Sequence, residues 1–256
     1  MIGRLVCTSL VLLAGSFSTR AEWKLNSTEE ISSTAGVRCV QTTAADEQTG
    51  DQAKLTLALC DTSKTKVRVL DRPNGESSNL AQVMEEENCI AGVNGGYFDP
   101  DYAPVGLLIS DGKTLAPLRR ARLLSGVLSV VNGRVGLQRV AEFSPKTKAS
   151  QAIQCGPFLV DRGTSVHGLE NSRTARRTFA ATGGGNRFIL GVSSAVSLAQ
   201  LSRILVAGRV AGDTKIDRAL NLDGGSSTAF WCKRAEGTAF SISEQKPVRD
   251  FVAMTR

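Results

Sequence analysis

Histidine is nearly missing from this 256-residue chain: there is one, His167. Zinc sites built on paired histidines and the H-E-x-x-H hydrolase pattern are therefore excluded. Aromatic residues make up 5% of the chain, and there is neither an aromatic ribonucleoprotein motif nor a basic helix, so a pI near 9.3 does not point to nucleic acid. No Gly-x-Ser-x-Gly elbow occurs, and no phosphate loop ending in Gly-Lys-Ser/Thr. Prolines are few, 7 against 25 glycines, and 41% hydrophobic with 21% charged residues is a globular balance rather than a disordered or collagen-like one. A chain of this length buries a core without help, which excludes a scaffold held mainly by disulfides. Past the first twenty or so residues no apolar run approaches the ~18–20 residues that a membrane span needs.

What is present begins with a leader. Arg4 precedes an apolar stretch over residues 5–15, and small or polar residues follow to Ala21, the three-part pattern of a secretory signal peptide. Residues 1–21 are expected to be removed, residues 22–256 to form a single domain, and the protein to be secreted or periplasmic. A short membrane anchor is the alternative, against which the stretch is brief and no stop-transfer pattern follows. Losing Arg4 and Arg20 takes the net charge from +7 to +5, a balance that suits an anionic ligand or cell surface. Cys7 leaves with the leader, while Cys39, Cys60, Cys89, Cys155 and Cys232 stay. Five thiols in an oxidising compartment suggest up to two disulfides and one free buried cysteine, with Cys39 and Cys60, in strands flanking a polar turn, the favoured pair.

Residues 26–66 read as short alternating strands between polar turns, clearest at 37–40 and 55–59. Ser77, Ser78 or Asn79 caps a helix running to about Glu87, with Leu80, Val83 and Met84 on one face and Asn88 as a left-handed stop. A buried strand at 89–93 follows. Residues 105–140 carry the hairpin signals Asp111-Gly112 and Asn132-Gly133 and predict a meander of about four strands. Residues 144–151 read as a polar connection, Gly183-Gly184-Gly185 as another hairpin, and Ser197 as the cap of a helix with Leu198, Leu201 and Leu205 on one stripe. The fold class expected is α+β, with a mixed, largely antiparallel sheet and a few packed helices.

Helix, buried strand, Asn94-Gly95-Gly96 recurs later as helix, buried strand, Asp223-Gly224-Gly225. Each turn alone reads as ordinary Asn and Asp turn chemistry. As a matched pair at strand ends they predict one shared pocket, where paired glycines let backbone N–H groups approach an anion. Arg173, Arg176 and Arg177 before one strand, and Ser226, Ser227 and Thr228 after the second turn, add the forks and hydroxyls that a phosphate oxygen needs. Asp99-Pro100-Asp101 admits a divalent cation, though two carboxylates in a turn are more often only a turn. Cys155 with His167 is the remaining nucleophilic dyad, set against the rule that exported cysteines are usually bridged or buried.

Asn94-Gly95-Gly96-Tyr97-Phe98-Asp99, Cys155-Gly156-Pro157-Phe158-Leu159, Arg177-Thr178, the helix at 198–205, Leu222-Asp223-Gly224-Gly225-Ser226-Ser227-Thr228 and the tail Pro247-Val248-Arg249 fall in the order of the phosphodiester glycosidase family, which this sequence resembles over roughly residues 85–256. Arg173-Thr174 competes with Arg177-Thr178 for the family's Arg-Thr position, and spacing to the next strand favours Arg177. The resemblance implies hydrolysis at a phosphorylated anomeric carbon of a sugar phosphodiester or phosphorylated envelope glycan, with no cofactor required and a divalent cation left open. It implies Asp223 as nucleophile or base, Asn94 orienting water or a sugar hydroxyl, and Arg177 on the phosphate. Gly224, Gly225, Ser226 and Ser227 would help Arg177, and Gly95, Gly96, Tyr97, Asp99, His167 and Arg173 would line the substrate. The alternatives are a phosphodiesterase that breaks P–O and a non-catalytic protein that binds anionic glycan or exopolysaccharide.

Overall fold

Asp111-Gly112 and Asn132-Gly133 both adopt left-handed backbone angles, the two-residue turn whose twist matches paired strands. They close the hairpins Leu108–Ser110 with Lys113–Ala116 and Gly126–Val131 with Arg134–Arg139. In this computed structural model, which describes residues 23–73, 79–144, 146–208 and 210–256, the two hairpins are not a continuous meander. The strand Ala149–Cys155 inserts between them, so that the segment expected as a connection is in part the centre of a five-stranded sheet. Its burial on both faces explains the insertion: Ala152, Ile153 and Cys155 are all buried. The leader and the candidate caps Ser77 and Ser78 lie outside the described residues.

A second, eight-stranded sheet runs in the order Trp23–Thr34, Val37–Asp46, Gln52–Asp61, Arg187–Val196, Ala175–Gly183, Ile216–Asn221, Phe158–Asp161, Thr164–Ser165. A third has five strands in the order Ala239–Ile242, Phe230–Lys233, Ala91–Asn94, Asp250–Thr255, Lys66–Asp71. Every paired strand among the described residues is antiparallel. The architecture is thus more β-rich than an α+β fold with several packed helices. Only α1 (Leu80–Glu86, 7 residues) and α2 (Leu198–Val206, 9 residues) form among the described residues.

Both helices start as their caps dictate. The Asn79 side chain accepts from the Gln82 N–H, and Asn88 turns left-handed beyond the end of α1. Ser197 and Gln200 make a reciprocal capping box on α2. Leu80, Val83 and Met84 of α1 are buried, each burial removing apolar surface at roughly 1.5–3 kcal/mol per side chain. The helix packs closely against Ala91–Asn94, where a Cβ on Gly92 would lie 2.3 Å from the Met84 sulfur. The largest core cluster draws Val37 and Phe188 from the eight-stranded sheet, Leu128 and Ile153 from one five-stranded sheet, and Val93 and Phe230 from the other. One body of packed side chains therefore fixes all three sheets against each other.

Cys39 and Cys60, expected as a disulfide, are not joined. Cys39 opposes Ala58, and Cys60 opposes Val37, so the two sulfurs sit diagonally on one face rather than directly opposite. All five described cysteines are free and buried. No helix among the described residues is long and apolar enough to cross a membrane.

Candidate functional site

The two repeated turns meet. The strand Ala91–Asn94 ends in the third sheet and Ile216–Asn221 ends in the eight-stranded one, and the Asp223 N–H donates to the Gly95 carbonyl at 3.0 Å. Asn94 is wholly buried, and its bonds are internal. Its Nδ2 donates to the Asp223 carbonyl at 2.8 Å, while its Oδ1 accepts from Thr178 Oγ1 at 2.7 Å and from the Ala229 N–H at 3.0 Å. Buried in this way, Asn94 holds three segments in register instead of presenting its amide to water or sugar. Thr178, absent from the candidates read from the sequence, is its buried partner.

Asp223 projects from the second turn and is partly exposed. Burial pushes its carboxyl up, opposed by the Ser227 hydroxyl and the Gly224 N–H, which donates to Oδ1 at 2.9 Å. Arg177 lies alongside: a Cβ on Gly224 would sit 3.7 Å from the Arg177 Cα and 3.8 Å from its Cδ. Its Nε donates to the Val196 carbonyl at 2.9 Å and one Nη to the Arg173 carbonyl at 2.8 Å, which fixes the half-buried guanidinium. Tyr97 completes the group. Its hydroxyl donates to the Gly156 carbonyl at 2.6 Å and accepts from Asn221 Nδ2 at 3.1 Å. Burial pushes the phenol up, and the charge of Asp223 adds to the effect.

A second carboxyl, not singled out in the sequence, lies under the first turn. Asp250 opens the strand Asp250–Thr255 and is 2% exposed. Its Oδ1 accepts from the Gly96 N–H at 2.7 Å, and its carbonyl accepts from the Gly95 N–H at 2.8 Å. A Cβ on Gly95 would fall 2.0 Å from that Oδ1, so only glycine allows the approach. Burial pushes the Asp250 carboxyl up to about 7, the Gly96 N–H and Arg249 opposing, Asp71 and Asp223 adding. The one signal for it was a lone acid opening the otherwise apolar run Phe251-Val252-Ala253-Met254.

The glycine amides divide. Those of Gly95, Gly96 and Gly224 are spent on Asp250 and Asp223, whereas those of Gly225 and Ser226 meet no acceptor among the described residues. Gly225 is left-handed and opens a single turn of 3-10 helix, Gly225–Ser227. The Ser226 hydroxyl is likewise without a partner there, while that of Ser227 acts on the Asp223 carboxyl, favouring its ionised form. Arg173 and His167 are exposed, and no bond brings His167 to Asp223. Asp99 takes the turn role: Oδ1 accepts from the Asp101 and Ala103 N–H groups at 3.0 and 2.8 Å. Cys155 is wholly buried and burial pushes its thiol up, which makes it no nucleophile for His167 to activate. Among the described residues no three of His, Cys, Asp and Glu gather to hold a metal ion.

This geometry has relatives. The model of a family described as phosphodiester glycosidase matches residues 87–255. An uncharacterized Escherichia coli K12 protein, YigE, is 30% identical over 104 residues, a match spanning 36% of this chain and 41% of that protein. Among solved structures, the catalytic domain of zebrafish N-acetylglucosamine-1-phosphodiester alpha-N-acetylglucosaminidase, auto-inhibited by its pro-peptide, superposes with a TM-score of 0.64 at 15% identity, over 90% of this chain and 88% of that one. A hypothetical Synechocystis protein reaches 0.60 at 16%, over 90% of this chain and 64% of that one, and a putative exported protein of Burkholderia pseudomallei K96243 reaches 0.56 at 12%, over 81% and 75%. At these identities the superpositions show a shared fold. The family match covers all the residues gathered around Asp223, and the chain belongs to the phosphodiester glycosidase family.

Proposed function

We propose that this protein is an exported hydrolase that cleaves the glycosidic C–O bond of a sugar-1-phosphodiester. The observation that carries the reading is the Gly224 turn, which carries the partly exposed carboxyl of Asp223 and packs against the Cα and Cδ of half-buried Arg177. The leaving group is a phosphate monoester whose pKa is about 6, so it departs with little protonation and needs no histidine acid. That fits a cluster without histidine. Arg177, the Ser226 hydroxyl and the Gly225 N–H receive the phosphate as its charge grows, and Asp223 attacks the anomeric carbon or takes a proton from the attacking water. Asn94 acts through Asp223, by holding its main chain. His167, Arg173 and Asp99 have no part in the bond-breaking step.

Solvent oxygen-18 tests the bond. Incubating the protein with an N-acetylglucosamine-1-phosphodiester in labelled water should place the label in the released sugar. Label in the phosphate would mean P–O cleavage, and tight binding without release would mean a glycan-binding protein. Both contradict the reading, and a parallel sample with chelator reports any metal requirement.

A further inference from the structure

Between the strands Lys113–Ala116 and Gly126–Val131 the chain carries Arg119, Arg120 and Arg122, all exposed. None forms an ion pair among the described residues. Their backbone is nevertheless clamped. Gln154, 2% exposed, accepts at Oε1 from the Leu107 and Arg119 N–H groups, both at 3.0 Å, and donates from Nε2 to the carbonyls of Arg119 at 2.6 Å and Leu124 at 3.2 Å. Two acceptor positions and two hydrogens exhaust what a primary amide offers, so one buried side chain ties down both ends of the arginine strap. Three like charges held together without a counter-charge raise the local positive potential, which an anion relieves.

Behind the strap is a cavity of about 860 Å³ lined by Leu118, Arg120, Arg122, Leu124, Val140 and Phe143. The acid beside it, Glu142, is committed elsewhere. It accepts from Arg218 Nη2 at 3.0 Å and from the Arg139 N–H at 2.9 Å, and the Arg218 contact holds its carboxyl down at about 2. The strap also adjoins the site around Asp223. A Cβ on Gly156 would fall 2.2 Å from the Leu123 carbonyl oxygen, and the Gly156 carbonyl is the acceptor of the Tyr97 hydroxyl. One residue separates the strap from Tyr97.

We propose that the strap at residues 118–125 and the cavity behind it form a second anion subsite, which binds a neighbouring phosphate of a phosphodiester-linked glycan chain whose reacting link lies between Arg177 and Asp223. Guanidinium forks match phosphate oxygens, and the apolar wall of Leu118, Leu124 and Phe143 receives the C–H face of the intervening sugar. The placement of the reacting link rests on the proposed hydrolase; the anion subsite does not. The substrate class is then a polyanionic glycan rather than an isolated sugar phosphodiester.

The test is calorimetric binding of two probes, a single N-acetylglucosamine-1-phosphodiester and a synthetic trimer of that unit, to the Asp223→Asn protein so that neither is consumed. The trimer should bind at least about ten-fold tighter, and Arg120→Ala/Arg122→Ala should remove that advantage together with part of its salt dependence. Lys113→Ala/Arg134→Ala, which removes the same charge elsewhere on the surface, should keep the advantage. Equal affinity for both probes would overturn the subsite, as would equal losses for both on removing the strap arginines, or an equal loss in the charge-matched control. Phosphatidylglycerol vesicles or duplex DNA bound through the strap as tightly as the trimer would overturn it too, by making the patch a general anion binder. Turnover of the single unit by the parent with no trimer advantage defeats the subsite alone. A trimer advantage with no turnover of either probe supports the subsite and defeats the hydrolase reading.

Discussion

The side-chain amide of Asn94 donates to the main-chain carbonyl of Asp223 across 129 residues of sequence, at 2.8 Å. The bond joins the ends of two strands in different sheets, and with Thr178 and Ala229 it leaves Asn94 wholly internal. Asn94→Ala removes all three bonds and strands the Ala229 N–H and the Asp223 carbonyl. We expect a loss of about 2–4 kcal/mol in urea unfolding and a fall in turnover that follows the displaced Asp223 turn. Unchanged stability would mean that the three contacts are dispensable.

Gly95 separates Asp250 from Asp223, and its missing side chain is what permits the approach. Gly95→Ala would drive a methyl group to within 2.0 Å of a carboxyl oxygen of buried Asp250 and 3.0 Å of its main-chain carbonyl oxygen. Loss of soluble folded protein, or a thermal midpoint lowered by several degrees, is expected. Gly225→Ala gives a milder comparison, because the Cβ there meets open space and only the left-handed angle is strained.

The Asp250 carboxyl makes stability depend on pH in a defined direction. It keeps its proton in the folded protein up to about 7, against 3.8 as its ordinary value. As pH rises from about 4 to about 7 the unfolded chain ionises first, and the folded state loses the advantage that proton gave it. Above about 7 nothing more is lost. Relative to Asp250→Asn, the parent should lose stability on the order of 4 kcal/mol across that window. Chemical denaturation of both proteins at pH 4, 5.5, 7 and 8.5 reads the difference, and parallel curves would show that Asp250 does not titrate there.

Local chemistry was legible where it decides local structure. Asp111-Gly112, Asn132-Gly133, Asn88, Asn79 and Ser197 each force a backbone angle or satisfy a helix end, and each stands where the sequence put it. The two glycine turns, whose repetition predicts a shared pocket, are joined by a main-chain hydrogen bond. Pairing between distant segments was not legible. Trp23–Thr34 is an edge strand whose residues are mostly exposed, so it carries no alternation to announce it. Ala149–Cys155 chooses its neighbours by burial that only the assembled core reveals.

Within the site, composition alone does not separate the two Arg-Thr pairs, but spacing to the next strand favours Arg177-Thr178. Arg173 proves exposed, and Arg177 is packed against Gly224. Asp250 is not legible, because an acid at a strand end signals nothing until its neighbours are known. The residue type of Asn94 suits a substrate contact, whereas its complete burial places it in the scaffold.

The most direct measurement is release of free sugar from an N-acetylglucosamine-1-phosphodiester by the parent and by Asp223→Asn. An amide keeps an acceptor for the Gly224 N–H and the Ser227 hydroxyl while removing a carboxylate that burial disfavours. The variant should therefore melt no lower than the parent and turn over at least ~100-fold more slowly. Near-parental release by folded Asp223→Asn would contradict the role given to that carboxylate.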